Sequence, residues 1–252
     1  MPPVVVAYAP RDHTRARIRA ALVRVHRRGV LARTERDFAN AFHTSFVNTA
    51  VVEVTADDDG HGPAELAREY PSVPFLALTP FRPVDAPAIA RCAELDFADV
   101  LADGTDDGVL GHALLAHSFS THFAATLDTP PQPLALTSPL QLAAWRAIVS
   151  RAGQPVGSLE IAKALGISRE HLSRSFSAGA APTLKRAMDF VRLLAAGELA
   201  KNPGYDLPAV ARLTGFPSAA KLSATVARLV RARATALSAL RSTDLLERFL
   251  RG

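Results

Sequence analysis

Residues 158 to 176 read SLEIAKALGISREHLSRSF: apolar side chains at helical spacing, a break at Gly166, and helical spacing again at once. A glycine at such a break lets one helix end and a second leave at a steep angle, the build of a helix-turn-helix whose second helix can enter a DNA groove. Short helices joined at a glycine are common in helical proteins, so the stretch takes its meaning from what surrounds it. Ile161, Ala162, Leu165, Ile167, Leu172 and Phe176 form its inward set, and Ser168 is placed to cap the second helix. Those residues are core, whatever the function.

The pattern occurs a second time. LPAVARLTGFPSAAKLSATVARL, residues 207 to 229, carries a short helix to Leu213, a turn at Gly215, a capping Ser218 and a second helix with Leu222 and Val226 inside. Between the copies, APTLKRAMDFVRLLAAGELAKN sets Leu184, Met188, Val191, Leu194 and Ala195 in one stripe, which predicts a long helix from about Thr183 to Leu199. About eighteen helical residues span roughly 27 Å, enough with flanking turns to hold two second helices about one DNA turn, roughly 34 Å, apart.

Charge divides the chain. Residues 1 to 130 hold 12 Lys and Arg against 17 Asp and Glu, a net −5, whereas residues 131 to 252 hold 17 against 7, a net +10. Clustered cations attract phosphate polyanions, either nucleic acid or an anionic membrane surface. No run of 18 or more apolar residues occurs, and MPPVVVAYAPRD lacks the charged start and cleavage site of a signal peptide. Cys92 is the only cysteine, which excludes an internal disulfide framework and fits a reducing compartment. A cytoplasmic protein is expected, with double-stranded DNA as partner and no membrane.

Residues 1 to 127 alternate strand-length apolar runs with helical patterns five times: VVVAYA, VLART, TAVVEV, PFLALTP and FADVLA each precede a helix, the last being GVLGHALLAHSFSTHFAATL. Strands separated by single helices run parallel with helices on both faces, so this half predicts a doubly wound, five-stranded α/β domain. DTPPQPLALTSP then breaks the periodicity with four prolines, so residues 128–137 are expected as a linker and residues 138–252 as an all-α DNA-binding domain.

The two units and their spacer, over about residues 138 to 238, resemble the C-terminal DNA-binding domain of the AraC/XylS family of bacterial transcription regulators. Ala162, Leu165, Gly166, Ser168, Leu172, Arg174 and Phe176 match the signature of the family's first unit, and Val210, Ala211, Gly215, Phe216 and Leu222 match much of the second. The second unit diverges: Arg231, Arg233 and Ala234 stand where the family closes with a glycine and a Thr-Pro pair, and Val226 and Ala227 replace a Phe-Lys.

With Leu172 and Phe176 inward, Arg169, Glu170, Ser173, Arg174 and at the margin Ser177 turn outward beside the capping Ser168. Arg174 can fork onto guanine or a phosphate, and Glu170 can accept from cytosine. His171 either packs beside the first helix or binds a phosphate. In the second unit the leading outward positions are Ala219, Ala220, Ser223 and Ala224, which read little; Ser218, Lys221, Thr225 and Arg228 remain to hold phosphates. The first unit is expected to specify and the second to anchor.

The α/β half resembles the receiver domain of two-component response regulators over about residues 3 to 125, with its chemistry replaced. Thr79 matches the family's threonine or serine, but Tyr8 and Ala9 stand for the acidic pair, Glu53 for the phosphoacceptor aspartate and Asp103 for the lysine. Receiver chemistry needs an acidic pair to bind Mg²⁺, so a phosphorylation-independent domain without metal or other cofactor is expected. Asp57, Asp58 and Asp59 lack calcium-loop spacing, and His112, His117 and His122, five apart, splay around a helix rather than gather as ligands.

Motifs that would mark an enzyme on the α/β half, a nucleophile elbow, a phosphate-cradling glycine loop or paired CxxC motifs, are missing, so no catalytic residues are assigned. An interaction adaptor with degenerate helix-turn-helix units is the alternative that the alanine-rich second helix favours. Apolar residues in the segment from 85 to 127, among them Leu110, Leu114, Leu115, Phe119, Phe123 and Leu127, predict a homodimer through the α/β half, and RNA polymerase is a further candidate partner.

Overall fold

The computed structural model describes residues 3–56, 61–152, 156–176 and 179–251, in two compact units that divide between Thr121 and His122. The first is a parallel sheet in the order β2-β1-β3-β4-β5: β1 Pro3–Tyr8, β2 Gly29–Ala32, β3 Phe46–Glu53, β4 Phe75–Thr79 and β5 Asp99–Ala102. Valine-rich β1 and β3 are buried along almost their whole length, as central strands covered on both faces must be.

Helices α1 (Asp12–Arg24), α2 (Glu35–Thr44), α3 (His61–Glu69), α4 (Ala86–Glu94) and α5 (Asp107–Ala116) follow the strands. On one face α1 and α5 cover the sheet, with Ile18, Leu22, Leu110 and Leu114 packed among Val5, Ala7, Val51 and Leu76. Gly111 lets these helices touch, since a Cβ there would meet the Ala21 carbonyl oxygen at 2.7 Å. The other face is aromatic: Phe42 stacks on Tyr70 at 4.3 Å and on Phe75 at 5.8 Å, and burial pushes the Tyr70 hydroxyl up to about 12. The loop into α4 is pinned by Asp85, whose carboxyl the Arg82 guanidinium holds down at about 2, aided by the N–H groups of Arg82 and Ala56. Strand order reverses at β1 and β3, which opens a crevice at their carboxyl ends.

The last helix expected in this half is instead two. α5 stops at Ala116, and α6 runs Phe119–Thr126. Ser118 makes the break, its Oγ accepting from the Thr121 N–H at 3.2 Å and so capping α6. His117 closes α5 and pairs with Asp99 at 3.1 Å, so His112, His117 and His122 do not share one helix. Leu110, Leu114, Phe119 and Phe123 are buried within the chain, and Leu115 and Leu127 are half-buried.

The second unit is helical: α7 Pro139–Val149, α8 Ser158–Ala164, α9 Arg169–Phe176, α10 Leu184–Leu199, α11 Leu207–Leu213, α12 Ala219–Val230 and α13 Ser242–Arg251. The proline-rich stretch before it carries a 3-10 turn at Gln132–Leu134 and buries Leu134 and Leu136. A capping box of Ser138 and Gln141 starts α7, and the Gln141 amide donates onward to the Phe176 carbonyl at 2.8 Å, tying α7 to the end of α9. Thr183 caps α10, which buries Leu184, Val191, Leu194 and Ala195 as the stripe requires and leaves Met188 half-buried. Helix α13 stacks Phe249 on Phe190 at 4.2 Å, under the Arg186 guanidinium. Among the described residues no helix is long and apolar enough to cross a membrane.

Candidate nucleic-acid interface

Both turn units close their first helix with the same hydrogen bonds. After α8, Gly166 adopts φ +68°, its N–H donates to the Lys163 carbonyl at 3.1 Å, and the Ile167 N–H reaches the Ala162 carbonyl at 3.1 Å. After α11, Gly215 adopts φ +73°, donates to Arg212 at 3.2 Å, and Phe216 reaches Ala211 at 2.8 Å. This is a Schellman ending, which needs a left-handed residue that glycine supplies at least cost. The serine caps then start the next helix: Ser168 Oγ accepts from the His171 N–H at 3.1 Å, and Ser218 Oγ from the Lys221 N–H at 3.2 Å.

On α9, Leu172 and Phe176 are fully buried, while Arg169, Glu170, His171, Ser173 and Arg174 are all exposed. His171 is therefore not buried against α8. Among the described residues none pairs with the Arg174 guanidinium, which stays available to an incoming acceptor. Ser177 lies outside the described residues.

On α12, Leu222 and Val226 are fully buried and Lys221 is exposed, but two of the expected phosphate contacts are already engaged. Arg228 donates to Asp189 of α10 at 2.9 Å, because α12 packs over that helix. The Thr225 hydroxyl donates to the Lys221 carbonyl at 2.9 Å, a turn back in its own helix, and Ser223 is half-buried.

The strand-end residues of the α/β unit form a separate polar cluster. Tyr8 is buried, and Ala9 and Thr79 wholly so. Glu53, 1% exposed, accepts from the Arg11 N–H at 3.3 Å, from Arg11 Nε and from the Thr14 hydroxyl at 2.6 Å. Asp103 accepts from Arg11 Nη2 at 3.2 Å and from Arg17 Nη1 at 2.7 Å, with His13 Nε2 at 3.5 Å. Arg11 thus bridges two carboxylates that lie 50 residues apart in the chain. Arg11, His13, Thr14 and Arg17 escaped the sequence reading, although a cation directly after the first strand, in YAPRD, is a visible signal.

The ligand atoms of His13, Glu53 and Asp103 lie within 4.8 Å of one another, a spacing a metal ion could bridge. The cluster fits Mg²⁺ poorly. Two guanidiniums already neutralise its two carboxylates, and an ion would have to displace Arg11 to reach both. Asp57, Asp58 and Asp59 lie outside the described residues.

No family model matches the sequence, and no curated protein matches it. Among solved structures, full-length FixJ from B. japonicum aligns over 90% of this chain and 96% of that one, at 14% identity and a TM-score of 0.37. The RcsB response regulator of Salmonella typhimurium aligns over 68% and 85%, at 18% identity and a TM-score of 0.38, and the response regulator StyR over 75% and 97%, at 14% and 0.38. At these values the likeness bears on neither family nor function.

Proposed function

We propose that the chain is a sequence-specific, DNA-binding transcription regulator of the AraC/XylS kind. The observation that carries this reading is the pair of helix-turn-helix units, each with a Schellman turn and a serine cap, the first of which presents Arg169, Glu170, Ser173 and Arg174 on one exposed face. Arg174 would read a base or fork onto a phosphate, while Ser168, His171, Ser218, Lys221 and Ser223 would position the backbone. The +10 balance of residues 131 to 252 supports a polyanionic partner. Selection of bound fragments from random DNA by the purified chain tests both binding and sequence preference. Recovery of a shared motif supports the reading, and recovery of unenriched DNA defeats it.

The α/β half is read as independent of phosphoryl transfer. Arg11 and Arg17 neutralise Glu53 and Asp103 between them, and Glu53 is buried under three donors. Incubation with acetyl phosphate and Mg²⁺ should leave the intact mass unchanged; a stoichiometric phosphoryl adduct would refute this. A homodimer through this half would place two DNA-binding halves on one duplex and tighten binding by tethering. Sedimentation at micromolar concentration decides it.

A further inference from the structure

The α/β unit is acidic overall, but its charges are segregated. Nine of the 12 Lys and Arg in residues 1 to 130 fall in residues 11 to 36, beside only two acids, a net +7; the rest of that span holds three cations against 15 acids, a net −12. All nine are arginines.

Their surroundings sort them. Arg11, Arg15 and Arg17 turn inward: Arg11 and Arg17 onto the strand-end carboxylates, Arg15 onto Asp12 and the carbonyls of Ala9 and Pro10. Arg19, Arg24, Arg27 and Arg28 are exposed, and among the described residues none of these four forms an ion pair. One cation in the last turn of α1 would complement that helix's negative end, a role Arg24 fills. Arg27 and Arg28 lie beyond the helix, in the turn into edge strand β2.

The opposite edge carries the opposite sign. Glu94 and Asp96 are exposed just before β5, at the same end of the sheet as Arg27 and Arg28. Four strand spacings separate β2 from β5, about 19 Å. That is about twice the Debye length of roughly 8 Å at physiological ionic strength, so a polyanion against the β2 edge is attracted by its arginines and screened from the acids beyond.

We infer that the β2 edge of the α/β unit, centred on Arg24, Arg27 and Arg28, is a second anchor on the phosphate backbone of duplex DNA. This rests on the chain being a DNA-binding protein, and it assigns DNA contact to the half whose net charge argues against it. The contact is sequence-independent, three guanidiniums each taking one phosphate.

The test is the salt dependence of affinity for a labelled 30-base-pair duplex of random sequence, with the full chain and its Arg24→Ala, Arg27→Ala, Arg28→Ala triple variant. The log-log slope should become shallower by about 2 to 3 in the variant, and lysine at all three positions should restore it. The thermal midpoint serves as a folding control, because the three side chains are exposed. A steep slope shared by wild type and triple variant overturns the anchor and leaves the DNA-binding reading standing. No duplex binding by the wild type overturns both. A triple variant that loses self-association at low salt while keeping the wild-type slope overturns it in favour of a second copy's acidic edge.

Discussion

The two helix-turn-helix units share their backbone and differ in what they offer. Gly166 and Gly215 end α8 and α11 with the same pair of hydrogen bonds, and Ser168 and Ser218 cap the helices that follow. The second turn is one residue longer, with Phe216 and Pro217 between glycine and serine where the first has Ile167 alone. Outward, α9 shows several charged side chains, whereas α12 shows alanines, an exposed lysine at Lys221, a hydroxyl bonded to its own helix and an arginine held by Asp189. Backbone chemistry sets a turn, and leaves the outer face free to vary.

The largest effects should erase this contrast. Leu172→Ala and Leu222→Ala each remove a fully buried side chain, so both should lower unfolding free energy by about 2 to 5 kcal/mol in denaturant titrations. Next comes the effect that should expose the contrast. Arg174→Ala should cost about 1 to 3 kcal/mol on the best site and relax sequence preference, while Lys221→Ala weakens all duplexes alike and makes the salt slope shallower by about 1. Equal losses on cognate and random DNA from both changes would show that the units do not divide the work.

Smaller changes probe the shared frame. Gly166→Ala puts a Cβ into open space but at φ +68°, so its cost, about 1 to 2 kcal/mol, should be conformational alone. Ser168→Ala and Ser218→Ala should each cost about 1 kcal/mol, and a clear inequality would mean the caps are not equivalent. Least of all, Arg228→Ala should change stability by under about 1 kcal/mol, since its pair with Asp189 is half open to solvent.

Local chemistry was legible in the sequence. The turn glycines, the capping serines and the inward sets of α9, α10 and α12 follow from spacing, because each depends on neighbours within four residues. The alternation of strands and helices likewise gave the five-stranded sheet. What escaped depends on distant partners. Arg11 meets Glu53 and Asp103 across 42 and 92 residues, and Arg228 meets Asp189 across 39. The break before α6 was hidden differently: Ser118 sits within an apolar run whose helical spacing continues on both sides. Leu110 and Leu114 show the limit of counting apolar residues: they pack in the core of their own sheet, which spacing alone does not distinguish from a face for a neighbour.

Arg11 has a consequence for how the strand-end cluster responds to its surroundings. A free ion occupies a site in proportion to its concentration and leaves when a chelator takes it. A guanidinium carried on the chain has no free concentration, and no chelator can draw it out of the cluster. The cation between Glu53 and Asp103 is therefore supplied once, at translation, and travels with the polypeptide through dilution or dialysis.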